Sequence, residues 1–228
     1  MQKKHMKAKK TVGCFVFLTS LLFAAASLYA QPFAQEIREF KKQDSLQFPA
    51  SNQILLIGSS SFTKWKDVQE YFPSYPILNR GFGGSQLPDQ VRYVNDIVFP
   101  YKPKQIIIYC GENDMASHDS VTAQVVLRRF KELFTLIRSK LPNVPVAFIS
   151  MKPSPSRQLI QPKVIEGNAL IKAFLKKQKR ASFIDVYKEM INDEGKPMAD
   201  LFVDDNLHMN AKGYAIWKKV MEPHLMKK

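Results

Sequence analysis

The fold class that this sequence predicts is α/β: three layers, α/β/α, around a parallel sheet. Three observations lead there. Five short apolar runs, each about the length of a strand, recur along the chain. Between them lie segments whose apolar residues repeat at three- and four-residue spacing, as on one face of a helix. The composition, 45% hydrophobic and 24% charged over 228 residues, suits a chain that buries one core of ordinary size. Strand–helix alternation over this length means parallel strands joined by crossover helices that cover both faces. With 9 Gly and 14 Pro the chain is neither collagenous nor of low complexity, and two cysteines cannot build a disulfide scaffold.

The first thirty residues stand apart from that pattern. Met1 to Lys10 carries five lysines and no acid, an apolar run follows from Val12 to Ala26, and Ser27-Leu28-Tyr29-Ala30 precedes Gln31. Basic head, short apolar core and small terminal residue are the parts of a secretory signal peptide, expected here over residues 1–30. An uncleaved anchor is the alternative, because Val12 to Ala30 is 19 residues and could just span a bilayer. Cleavage after Ala30 leaves 198 residues, lowers the formal net charge from +14 to +9 and keeps Cys110 alone of the two cysteines. The exported protein, periplasmic or extracellular, would then have no internal disulfide and no stable membrane span.

Residues 31–50 are expected to form a leading helix, Ala34 to Asp44, and a connector ahead of one domain over 51–228. Gln53 to Gly58 is a continuous apolar run ending in Gly, as a strand buried on both faces reads. Ile77-Leu78 is a shorter run of the same kind. Gln105 to Gly111, Val144 to Ser150 and Ser182 to Val186 complete the five. Val126, Phe130, Leu133, Phe134, Ile137 and Leu141 mark one helix; Val164, Ile165, Asn168, Ile171 and Leu175 mark another; Ala211 to Leu225 closes the chain. Lys172, Lys176, Lys177, Lys179 and Arg180 sit at a helix end, where cations suit the dipole. They read as a solvated face, so no nucleic-acid partner is expected.

In such sheets ligands bind beyond the carboxyl ends of the strands, and the informative residues fall there. Gly58-Ser59-Ser60-Ser61 follows the first strand and Asn79-Arg80-Gly81-Phe82-Gly83-Gly84-Ser85 the second. Gly111-Glu112-Asn113-Asp114 follows the third, and Asp204-Asp205-Asn206-Leu207-His208 precedes the last helix. In this order the four segments resemble the signature blocks of the SGNH (GDSL-type) esterase and acylhydrolase superfamily, in particular exported bacterial members reading G-S-S-S and N-R-G-F-G-G-S. The resemblance runs from Gly58 to His208. It implies a flavodoxin-like five-stranded parallel sheet, the SGNH hydrolase fold, carrying a Ser-His-Asp site.

Acyl transfer needs a nucleophile, a base within hydrogen-bond reach, a group orienting that base, and donors aimed at the developing oxyanion. The resemblance puts Ser60 at the nucleophile and His208 at the base. Asp205, three residues before it, can reach back to the imidazole. Gly84, Asn113 and the Ser60 N–H match the oxyanion donors; a Gly lets its backbone approach a ligand closely. Ser59 stands where many relatives have Asp, which touches loop bracing more than mechanism. Ser59 and Ser61 are expected to cap the next helix, Asn210 the last one, and Asn79 and Asp114 to brace their loops. His118 is read as a surface residue, Asp204 as solvent-facing and Cys110 as a small core residue. Arg157, on the loop after the fourth strand, could meet an anionic substrate group.

Two other classes stay in view. A Ser/Thr-rich loop after the first strand can cradle a phosphate, as in flavin-mononucleotide proteins, but that gives Asn113, Asp205 and His208 no role. A non-catalytic sugar- or lipid-binding module would be expected to have lost part of the Ser60, Asp205, His208 set. No GxxxxGK[ST] motif is present, which excludes P-loop nucleotide hydrolysis. The expected activity is hydrolysis of acetyl or other short acyl esters, of small molecules or glycans, with lysophospholipase or thioesterase activity the alternative. No metal or cofactor is expected. Sequencing of the exported protein should begin at Gln31; a chain beginning at Met1 would favour the anchor.

Overall fold

In the computed structural model, which describes residues 31–227, the five apolar runs become five strands. They are β1 (Ile54–Gly58), β2 (Ile77–Asn79), β3 (Gln105–Tyr109), β4 (Val146–Ile149) and β5 (Ala181–Ile184). The expected signal peptide lies outside the described residues. All pairings are parallel, in the order β2-β1-β3-β4-β5. Every residue of β1, β3 and β4 is buried, whereas the edge strands β2 and β5 are only partly covered. That is why the central runs read as continuously apolar and the edges as shorter or mixed.

Successive side chains of each strand point to opposite faces. Leu55, Ile57, Ile106, Ile108 and Phe148 face one core; Ile54, Leu56, Ile107, Tyr109 and Ile149 face the other. The first core is covered by α1 (Ala34–Leu46), α4 (Leu87–Ile97), α6 (Ala123–Lys140) and α7 (Gln161–Leu175). The second is covered by two short helices, α2 (Ser60–Thr63) and α3 (Val68–Tyr71), and by α8 (Ala211–Met221). There Trp65 stacks on Tyr214 at 4.7 Å and meets Trp217 edge-on at 6.2 Å. Such aromatic pairs add about 0.5–1.5 kcal/mol each beyond their buried area. The remaining helix, α5 (Glu112–Ser117), leaves the end of β3.

The leading helix runs two residues past its expected end. It buries Ile37 and packs Phe40 against the core, and polar contacts add to that hold: Asp44 pairs with Arg80 and accepts the Tyr101 hydroxyl at 2.6 Å. α4 is absent from the expectation above. Its buried positions Leu87, Gln90, Tyr93, Val94 and Ile97 are helically spaced, but a glutamine inside the stripe dilutes the apolar pattern. The topology requires it, since parallel strands such as β2 and β3 need a crossover element. Gln86 and Asp89 form a capping box at its start, and Asn210 caps α8 through the amides of Lys212 and Gly213.

The sheet's order reverses between β1 and β3, which makes their carboxyl ends the crevice of the fold. β1 ends at Gly58 with φ +143°, where a Cβ would lie 1.9 Å from the Tyr109 carbonyl oxygen. Only glycine fits, and the Ser59 amide then bonds that same oxygen at 3.0 Å.

Candidate active site

Ser60 is the first residue of α2, one step beyond that junction, and Ser59 is its N-cap residue. A residue here keeps its backbone N–H free of intrahelical bonds. Ser59 occupies the cap without a side-chain cap bond, so the capping role expected of it is not made. Ser61 is buried, and its carbonyl accepts the Tyr214 hydroxyl at 2.9 Å.

Opposite Ser60, residues 203–208 form a turn before α8, with Asn206 in a left-handed conformation (φ 54°) and Val203 N–H bonded to the His208 carbonyl at 2.9 Å. Within it Asp205 Oδ1 accepts the amides of Leu207 (2.9 Å) and His208 (2.8 Å), and Oδ2 lies 2.5 Å from His208 Nδ1. The other ring nitrogen, Nε2, lies 3.0 Å from Ser60 Oγ. The slight burial of Asp205 would raise its carboxyl pKa, but the His208 ring and the two amides outweigh it and hold the group well below the usual carboxylate range. A carboxylate can only accept, so Nδ1 carries the ring proton and Nε2 presents a lone pair to the serine hydroxyl. Asp205 is 46% exposed and His208 17%, so the chain of bonds runs inward from solvent to Ser60.

On the other side of Ser60 lies the loop after β2. A Cβ built on Gly83 would stand 3.9 Å from that of Ser60, and Gly84 next to it has φ +81°. Ser85 Oγ holds the loop, lying 2.8 Å from the Phe82 carbonyl and 3.2 Å from that of Gly58 while accepting Gln90 Nε2 at 2.9 Å. Asn113, on α5, donates through Nδ2 to the Ser85 carbonyl at 3.1 Å. The second hydrogen of that amide stays available to a ligand. The structure thus brings Ser60, His208 and Asp205 into one hydrogen-bonded chain, with Gly84 on the loop after β2 and Asn113 on α5 joined through Ser85.

The neighbours divide cleanly. Asn79 braces its loop through Phe62 and Gly81, and buried Asp114 accepts from the Leu87 amide and Arg129. His118 and Asp204 are exposed, and Cys110 is buried. Arg157 does not present a free cation: Nη2 donates to Asn113 Oδ1 at 2.8 Å and Nη1 lies 3.3 Å from Glu112 Oε1. A cavity of about 320 Å³ opens beside α2, lined by Glu36, Glu39, Phe40, Thr63, Lys66 and Phe82 among others. Among the described residues no group of three or more His, Cys, Asp or Glu lies placed to hold a metal ion.

Sequence reasoning missed the buried polar cluster behind Asn113. Glu112 Oε2 accepts Tyr109 Oη (2.6 Å) and Lys152 Nζ (2.9 Å), and Oε1 accepts Ser154 Oγ (2.7 Å). Burial alone would raise the Glu112 carboxyl, but Lys152 and Arg157 beside it more than offset that and hold it below the ordinary range. One clue was visible: Lys152 stands between Met151 and Pro153 at the end of a buried strand, and a buried cation needs a partner.

Residues 57–216 match the family model described as the GDSL-like lipase/acylhydrolase family. No curated protein matches the chain. Among solved structures, a Streptococcus pneumonia protein is similar at TM-score 0.74 and 19% identity, over 84% of this chain and 92% of that one. A GDSL-like lipase from Bacteroides thetaiotaomicron is similar at TM-score 0.71 and 20% identity, over 84% and 97%. An acetylxylan esterase from Geobacillus stearothermophilus is similar at 0.61 and 12%, over 79% and 97%. At these identities the likeness is one of fold.

Because the Glu112 carboxyl is lowered on folding, it contributes stability above the ordinary carboxylate pKa that is lost as pH falls through the folded value. Glu112→Gln leaves Lys152 and Arg157 without their carboxylate and should cost about 3–5 kcal/mol in urea unfolding near neutral pH. It should also flatten the fall in stability below about pH 4.5. A variant with the native slope would mean that other carboxylates carry it.

Proposed function

Because the chain belongs to the GDSL-like lipase/acylhydrolase family, a family of ester-hydrolysing enzymes, we propose that it is an exported serine esterase removing acetyl or other short acyl groups, with carbohydrate esters the favoured substrates. The observation that carries this reading is the unbroken chain from Ser60 Oγ through His208 to Asp205, 3.0 and 2.5 Å at its two links. His208 Nε2 takes the hydroxyl proton as Ser60 Oγ attacks the ester carbonyl, and Asp205 stabilises the imidazolium that forms. The carbonyl oxygen becomes an oxyanion facing the Ser60 and Gly84 amides and the spare N–H of Asn113. The tetrahedral intermediate collapses, the imidazolium gives its proton to the departing alcohol, and an acyl group remains on Ser60. Water, deprotonated by His208, attacks that acyl-enzyme; the acyl–Oγ bond breaks, the carboxylic acid leaves, and the imidazolium returns its proton to Ser60 Oγ.

The preference for a carbohydrate alcohol follows from the expected export, which puts glycan and cell-envelope esters within reach. The Geobacillus stearothermophilus protein, an acetylxylan esterase, agrees in reaction class. Export rests on residues 1–30, whose basic head and apolar core have the pattern of a signal peptide.

The test is a series of variants assayed on p-nitrophenyl esters of increasing chain length beside acetylated sugars. Ser60→Ala and His208→Ala should each nearly abolish turnover, and the double variant should be scarcely worse because the two act as a unit. Asp205→Ala should cost less. Asn113→Ala should lower kcat by about 10²–10³ with little change in KM. Ser59→Ala and Ser61→Ala should remain active. Loss in Ser61→Ala with activity kept in Ser60→Ala would move the nucleophile; indifference to all three serines would leave a binding module. Faster turnover of long-chain esters would favour the lysophospholipase alternative.

A further inference from the structure

Asn113 can serve as an oxyanion donor only if its amide faces one way. The oxygen and nitrogen of a side-chain amide are nearly the same size, and a flipped Asn113 would aim an acceptor at the oxyanion. Two contacts oppose the flip. The Ser85 carbonyl can only accept, so it selects the nitrogen, at 3.1 Å. A guanidinium can only donate, so Arg157 Nη2 selects the oxygen, at 2.8 Å. We propose that Arg157 is a positioning residue for the reaction, holding the Asn113 amide in its donating orientation and polarising it toward the oxyanion. This rests on the esterase reading above.

The surroundings of Arg157 fit that task better than substrate capture. Its side chain is only 19% exposed, and Nη1 lies 3.3 Å from Glu112 Oε1. Glu112 is itself fixed by Tyr109, Lys152 and Ser154, so the guanidinium is docked against a rigid partner rather than held out to solvent. Glu112 is shared between two cations, Lys152 and Arg157, which leaves one positive charge in excess behind the amide. A cation hydrogen-bonded to an amide oxygen draws electron density from the nitrogen and strengthens its remaining N–H as a donor.

The same segment reaches the opposite side of the site. The Arg157 amide bonds the Ser154 carbonyl at 2.9 Å, and Ser156 donates to the Asn206 carbonyl through both N–H and Oγ at 3.0 Å. Asn206 belongs to the turn that carries Asp205 and His208. Residues 154–157 therefore strap the oxyanion donor to the loop of the base.

The experiment is a double-mutant cycle read as kcat and KM on p-nitrophenyl acetate and on an ester bearing a free carboxylate. Arg157→Met, which keeps the aliphatic stem, should lower kcat by about tenfold or more with KM nearly unchanged on both esters. In the Asn113→Ala background the same change should cost less than about twofold, because the group it orients is gone. Arg157→Lys retains a single charged donor, so it should recover part of the lost kcat in the native background and nothing in the Asn113→Ala background. Should Arg157→Met fail to fold by circular dichroism, the Lys variant reads the same coupling. Full multiplication of the two effects would overturn the proposal, as would a loss confined to KM for the carboxylate-bearing ester. Native activity in Asn113→Ala would instead overturn the oxyanion assignment while leaving Ser60 and His208 to be judged by their own variants.

Discussion

Where β1 and β3 end side by side, Gly58 pairs with Tyr109, and the space between the two backbones admits no side chain on Gly58. From this junction the chain leaves in two directions, into Ser59-Ser60 after β1 and into Gly111-Glu112-Asn113 after β3. A one-residue slip of this register would turn every side chain of the strand to the wrong face, and both cores would be lost with the site. The close contact therefore ties the packing of Ile54 to Ile57 to the distance between a hydroxyl and an amide donor. The loop after β2 reports to the same place, since the Phe82 amide bonds the Gly58 carbonyl at 2.9 Å and Asn113 bonds the Ser85 carbonyl.

Behind these loops the protein holds charge in its interior. A buried Glu–Lys pair is a poor source of stability, because the desolvation of both ions offsets most of their attraction. What the Glu112 cluster contributes is direction. Four groups converge on one carboxylate, and each bond fixes an element near the site: Tyr109 the end of β3, Lys152 and Ser154 the chain after β4, and Arg157 the strap to Asn113. Loops that carry chemistry are ordinarily the mobile part of a fold. Here a saturated polar centre gives them a rigid backing, while Asp205 and His208 gain theirs from the tight turn at Asn206 and the cap at Asn210.

Much of this was legible in the sequence, for physical reasons that also mark the limits. β1, β3 and β4 are covered on both faces, so their residues must be apolar without interruption and they announce themselves. Edge strand β5 keeps a half-exposed face, and its expected start falls one residue late. Ser60, Gly84, Asn113, Asp205 and His208 sit in short local blocks, and the resemblance of those blocks to the family's signatures is what marks them. α4 escaped because it buries a glutamine, Gln90, whose Nε2 bonds Ser85 and so steadies the candidate oxyanion loop. In sequence Arg157 reads as a substrate contact, because its partners Asn113 and Glu112 lie more than forty residues away. Contacts of that reach are made by the topology, and no local pattern states them.

In the proposed reaction Ser60 is a nucleophile made reactive by His208. The most direct measurement treats the intact protein with an alkyl phosphonate ester, which traps an activated serine as a stable covalent adduct, and locates the label by peptide mass spectrometry. One adduct per chain is expected, on Ser60, formed quickly in the native protein and barely at all in His208→Ala. An adduct on another residue, or an unlabelled protein that still hydrolyses esters, would contradict it.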